Sequence, residues 1–207
     1  MIERSQSRNK KNILTRNGHL LCSQIDPMRE AQRWVDKHRE RLSSQKRAII
    51  LGVGCGYHLV ALEKMLPALD ILAIDTEIEP IDFTCREHSL DLMNTKMILI
   101  NNSCEFKENQ KIQNVVKTRY DVLKFAPATA MNEKTYALYL NYLVGRTEEG
   151  LQFLLSHRPN LKNALNYELL SSVGNDLISI KTIEAAAIHK EQSRENLIFL
   201  ALRELVK

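Results

Sequence analysis

Three glycines at alternate positions, Gly52, Gly54 and Gly56, follow directly on the apolar run Ala48-Ile49-Ile50-Leu51. A backbone that must turn sharply and admit a ligand without a Cβ in the way needs glycine at such positions. A helix starting after the turn points unsatisfied N–H groups and the positive end of its dipole at the same place. That favours a phosphate, a carboxylate or ribose oxygens. Asp75 stands 19 positions after Gly56 (75 − 56), at the end of a second apolar run, Ile71-Leu72-Ala73-Ile74. A carboxylate there accepts two hydrogen bonds from ribose hydroxyls; capping of the next helix, with Thr76 and Glu77 as competing acceptors, is the alternative. Asn101 and Asn102 end a third run, Met97-Ile98-Leu99-Ile100, and either reach a polar ring such as adenine or form a plain turn.

Tyr57 and His58 come next after the last glycine and are candidates to line a ligand pocket. His58 is a candidate acid or base near neutral pH, against the ordinary alternative of a histidine in a first helical turn. Cys55 sits at a helix N-terminus, which lowers a thiol pKa, but with no basic partner its expected role is small-residue packing. Asp26 is expected to cap a helix. The four cysteines, Cys22, Cys55, Cys85 and Cys104, have no C-x-x-C spacing, and His19, His88, His157 and His189 share none either. Neither a metal site nor a disulfide framework is expected, and the thiols are expected to be reduced.

The elements that must position these residues are legible in the hydrophobic pattern. Gly18-His19-Leu20-Leu21-Cys22 reads as a strand or hairpin arm, and Asp26-Pro27 starts a helix to about Arg41, with Ala31 and Trp34 on one side. Runs apolar on both faces belong inside a parallel sheet. The first run, the glycine turn, a helix over Leu59, Leu62, Met65 and Leu66, and the second run form one strand, turn, helix, strand unit. Helices are predicted over 78–92 and 105–118, and a further strand over Tyr120 to Phe125. The pattern predicts a Rossmann-like, doubly wound and mainly parallel α/β sheet over residues 18–130. Residues 131–207 read as a helical extension, with helices over 134–144, 148–156, 161–172 and 178–205 separated by Gly145, Pro159 and Gly174.

Charge and composition narrow the class. The chain has 207 residues, 44% hydrophobic and 26% charged, in the range of an ordinary globular protein. Its net charge of +4 equals that of residues 1–16, where Arg4, Arg8, Lys10, Lys11 and Arg16 face Glu3. Residues 1–17 are therefore expected to be a flexible basic tail, and the absence of a sustained basic stripe with stacking aromatics argues against nucleic acid. No apolar run approaches the length of a bilayer span and no secretory leader is visible, so a cytoplasmic protein with no membrane partner is expected. Leu197, Leu200, Ala201 and Leu205, with Ile198 and Phe199, are apolar nearly all round, so burial in the domain, in a homodimer interface or against a protein partner is expected.

The G-x-G-x-G spacing resembles the first motif of class I S-adenosylmethionine-dependent methyltransferases, which implies an adenosyl cofactor. That family carries an acid two positions before the first glycine, where this chain has Ile50. Two stretches together, Ser23-Gln24-Ile25-Asp26-Pro27-Met28-Arg29-Glu30-Ala31 and Leu51-Gly52-Val53-Gly54-Cys55-Gly56-Tyr57-His58-Leu59, resemble the N-terminal region of the bacterial motility-associated factors. That likeness covers residues 18–125 and implies a Rossmann-like module connected with flagellin glycosylation. Three functions are carried forward: a module binding a nucleotide, nucleotide-sugar or adenosyl ligand in an accessory role; a divergent methyltransferase; and a ligand-free interaction protein. Ile50 favours the first over the second, and side chains packed tightly into the glycine turn favour the third.

Overall fold

The computed structural model describes residues 2–158. The helices expected over 161–172 and 178–205, and the apolar segment around Leu200, lie outside the described residues. The chain divides into two compact units, residues 1–140 and 141–207.

The first unit is built on the expected parallel sheet. Its strands are β4 (Arg47–Leu51), β5 (Asp70–Asp75), β6 (Thr95–Leu99) and β7 (Asp121–Lys124), in the order β6-β5-β4-β7 and parallel throughout. β4 is central, and Ala48, Ile49, Ile50 and Leu51 have no exposed surface. Burying each of the larger side chains contributes roughly 1.5–3 kcal/mol, so this run can occupy only an inner strand. The crossovers are α2 (Tyr57–Met65), α3 (Ile78–His88), and the pair α4 (Ser103–Glu108) and α5 (Gln110–Val116). The fold is a Rossmann-like α/β sheet, as the apolar runs predict.

Before the sheet, α1 (Pro27–Ser43) starts where Asp26 accepts a hydrogen bond from the Arg29 N–H at 3.0 Å, with Pro27 in the first turn. It buries Ala31, Val35 and Leu42 along one face and packs on α2. Arg41, in its last turn, forms a two-pronged ion pair with Asp121 at the start of β7.

Three expectations are corrected. Residues 2–16 are a β-hairpin: β1 (Ile2–Gln6) pairs antiparallel with β2 (Asn12–Arg16), which pairs with β3 (His19–Leu20). The basic residues hid a short apolar pair, Ile13-Leu14, which is 0% and 1% exposed and joins the core cluster. The helix expected over 105–118 is two helices, because Asn109 leaves the helical conformation and caps α5 by accepting from the N–H groups of Lys111 and Ile112. α3 ends at His88 rather than at residue 92.

After β7 come α6 (Ala126–Thr129), a 3-10 turn (Ala130–Asn132) and α7 (Glu133–Leu143). The first unit extends to Leu140, and Tyr136 and Tyr139 are each 1% exposed. The Tyr139 ring stacks on Phe106 with centroids 4.3 Å apart. In the second unit, α8 (Glu148–His157) is capped by Thr147, which accepts from the Gly150 N–H, and Tyr142 meets Phe153 at 5.0 Å between rings.

Candidate functional site

The glycine turn is at the C-terminal end of β4, where ligands bind in open α/β sheets. Residues 51–60 are all buried. Gly54 and Gly56 have φ of +52° and +76°, in the left-handed region where a side chain costs about 1–2 kcal/mol. Contacts add a second constraint. A Cβ on Gly56 would stand 2.5 Å from Thr84 Cγ2, and one on Gly54 would stand 2.9 Å from the Leu21 carbonyl oxygen and 3.0 Å from Ala128 Cβ. At Gly52 the nearest atoms are Thr129 Cγ2 at 2.8 Å and Ala128 Cβ at 2.9 Å. The room that glycine provides is filled by this chain's own atoms, from the segment after β3, from α3 and from α6.

Asp75 ends β5 beside the turn and is 3% exposed. Its Oδ2 accepts from the Val53 N–H at 2.7 Å and the Gly54 N–H at 3.4 Å. Its Oδ1 accepts from the Thr76 N–H at 2.8 Å, the Glu77 N–H at 3.2 Å and the Tyr136 hydroxyl at 3.0 Å. A carboxylate has about four lone-pair sites, and five donors converge on this one. Asp75 thus ties the turn to the start of the β5–α3 connection, and its oxygens are committed within the chain. Burial pushes its carboxyl above the usual range, opposed by the Val53, Tyr136, Glu77 and Gly54 hydrogen bonds. Burial, and then the Asp75 charge, raises the Tyr136 phenol in turn.

His58 faces the core. Its ring stacks on Phe125 at 3.8 Å and 6° and meets the edge of Trp34 at 5.3 Å. Nε2 lies 3.1 Å from the Gly52 carbonyl, which requires the proton on that nitrogen, and Nδ1 has no hydrogen-bond partner among the described residues. Complete burial drives its pKa down to about 3, against the small opposing effect of the Gly52 carbonyl. The imidazole therefore stays neutral near neutral pH, its Nε2 proton held on the Gly52 carbonyl and its ring buried against Phe125 and Trp34. Tyr57 is also turned inward: its hydroxyl donates to the Asn12 carbonyl of β2 at 2.7 Å, and its ring meets His88 at 4.8 Å.

The rest of the turn is held from several directions. His88 Nε2 pairs with the Cys55 carbonyl at 3.1 Å, and the Leu14 N–H donates to Cys55 Sγ at 3.2 Å. Cys22 and Cys55 are both buried free thiols, and contact with Cys55 together with burial raises the Cys22 thiol far above its ordinary range. Cys55 packs within the buried turn, 1% exposed.

Asn101 and Asn102 are exposed at the end of β6. Asn102 caps α4 by accepting from the Glu105 N–H at 2.8 Å, and Glu105 reaches back to the Asn101 N–H at 3.0 Å. This reciprocal arrangement accounts for the two asparagines as a helix start. The structure therefore gathers Gly52, Gly54, Gly56, Tyr57, His58 and Asp75 into one buried corner and leaves Asn101 and Asn102 outside it. The corner also depends on Leu14, Leu21, Thr84, His88, Ala128 and Tyr136. None of these is marked by spacing; the available signal was chemical, since a buried carboxylate requires donors beyond its own strand.

Among the described residues, no helix is long and apolar enough to cross a membrane, and no group of three or more His, Cys, Asp or Glu side chains is placed to hold a metal ion. No protein-family model matches the chain and no curated protein matches its sequence, so the classification that the structure supports is the Rossmann-like α/β fold.

Proposed function

We propose that this chain is a non-catalytic Rossmann-like module that works through contacts with a protein partner or a second copy of itself, its glycine corner serving as a structural joint. The observation that carries this reading is the filled corner. Cβ positions on Gly52, Gly54 and Gly56 are met at 2.5–2.9 Å by the chain's own atoms, and five donors share the Asp75 carboxylate. The likeness to the motility-associated factors supplies the setting: a cytoplasmic accessory role in flagellin glycosylation.

A second reading retains a nucleotide, nucleotide-sugar or adenosyl ligand, and with S-adenosylmethionine a divergent methyltransferase. One observation favours it. Thr76, Glu77, Asn101 and Asn102 stand half-buried or exposed where β5 and β6 end, with Asn132 donating to Thr76 Oγ1 at 2.9 Å. Calorimetric titration of the full chain with S-adenosylmethionine, S-adenosylhomocysteine, CMP, UDP and NAD separates the two. The contact reading expects no dissociation constant below about 1 mM, a free energy near −4 kcal/mol. Micromolar binding that Thr76→Trp abolishes would replace it with the second.

A further inference from the structure

The opposite end of the sheet carries a feature that the glycine corner does not use. Arg47 begins β4, Asp70 begins β5, and Lys96 stands near the start of β6. With Leu72, and with Lys111, Asn114, Val115, Lys117 and Thr118 from α5 and the residues after it, they line a groove of about 470 Å³. Four cations face one carboxylate, a local excess of three positive charges.

That carboxylate is spread thinly. Asp70 meets Arg47 Nε at 3.5 Å and Lys96 Nζ at 3.7 Å, well beyond the roughly 2.7–2.9 Å of a strong charge-assisted bond. Arg47 is nevertheless held: its Nη1 donates to the Asn114 carbonyl at 2.8 Å and to Thr118 Oγ1 at 3.2 Å. Lys117 leans on Asn114 Oδ1 at 3.0 Å. One anchored guanidinium thus stands among ammonium groups on flexible stems, and the groove has the volume of a small-molecule site.

We propose that this groove binds a small phosphate-bearing anion, recognised through its phosphate oxygens. Among the described residues no aromatic side chain lines it, so these residues offer no stacking surface for a nucleobase, and the affinity they supply comes from charge. Its concave shape and limited volume suit a compact diphosphate or sugar phosphate rather than a polymer. The site is independent of the glycine corner, being at the other end of the strands.

The probe is inorganic pyrophosphate, titrated calorimetrically into the full chain at 50 mM and 200 mM salt, with sulfate and a poly-glutamate peptide as alternative anions. Binding that weakens as salt rises is expected, and Lys96→Glu with Lys111→Glu should raise the dissociation constant at least tenfold. Lys37→Glu, a reversal of the same sign on the exposed face of α1, should leave it within twofold. Both groove lysines are exposed, and a circular dichroism spectrum matching wild type is the check that the double variant is folded; Lys96→Gln is a milder second variant with a smaller expected loss. Equal pyrophosphate affinity in wild type and double variant overturns the proposal. So does binding of poly-glutamate that pyrophosphate does not displace, which would assign the groove to an acidic protein.

Discussion

The two ends of the parallel sheet use polar chemistry in opposite ways. At the C-terminal end of β4, Asp75 is buried and saturated by five donors, His58 is neutral and stacked, and the glycines are enclosed by the chain. At the N-terminal ends, Arg47, Lys96, Lys111 and Lys117 stand around a groove with a single, loosely engaged carboxylate. The first end has the residue types of a ligand site and spends them on its own backbone. The second has no recognisable motif and keeps its charge exposed. Residue type and spacing locate where chemistry is feasible; satisfaction of hydrogen bonds decides whether any of it is left for a ligand.

The sharpest way to break this contrast is to add a methyl group at the corner. Gly56→Ala should destabilise the fold by about 3 kcal/mol or more, combining a left-handed backbone with a clash against Thr84. Gly18→Ala is the control: its φ is +79° but nothing lies within 4 Å of the added atom, so only about 1 kcal/mol of backbone strain is expected. Urea unfolding measures both, and equal losses would show that the corner has slack.

Asp75→Asn comes next. The amide turns two donors toward backbone N–H groups that already donate, and a loss of about 2–3 kcal/mol is expected from unsatisfied buried donors. A Tm unchanged from wild type would mean that water or a ligand can serve those donors.

The pH profile tests the histidine. With His58 at about 3 in the fold and near 6.5 unfolded, the unfolded chain binds the extra proton between those values. Stability therefore falls as pH drops below about 6.5, by about 1.4 kcal/mol per pH unit. His88, also lowered by burial, acts with the same sign. Asp75, raised by burial, acts with the opposite sign above pH 3.8. The difference between wild type and His58→Gln isolates the first effect, and parallel profiles for the two proteins would show that His58 is solvated.

The smallest stability effect belongs to the groove. Lys96→Ala and Lys111→Ala should each change stability by no more than about 0.5 kcal/mol. A larger loss would make these lysines structural, and the contrast between the two ends would fail.

Much of this fold was legible because both-face apolar runs have few alternatives: the four strands, the central place of Ala48 to Leu51 and the helix begun by Asp26-Pro27 all follow from local pattern. The N-terminal hairpin was not, because five basic residues masked the burial of Ile13 and Leu14, and strand pairing is a non-local property. The corner's location was legible in its glycines. Its closure was not, since Tyr136 lies 61 positions from Asp75 and Ala128 lies 74 positions (128 − 54) from Gly54. The groove was invisible for the same reason. Arg47, Lys96, Lys111 and Lys117 are spread over 71 residues (from 47 to 117) that hold seven basic against ten acidic side chains, a net acidic stretch, and only the register of three strands and α5 brings them together.

Hydrogen exchange at the Val53 and Gly54 amides, both bonded to Asp75, tests the central claim most directly. A sealed structural joint predicts exchange as slow as that of the Ile49 and Ile50 amides in β4, unchanged by S-adenosylmethionine, CMP, UDP or NAD. Fast exchange that one of these ligands suppresses would contradict it and identify the glycine corner as a binding site.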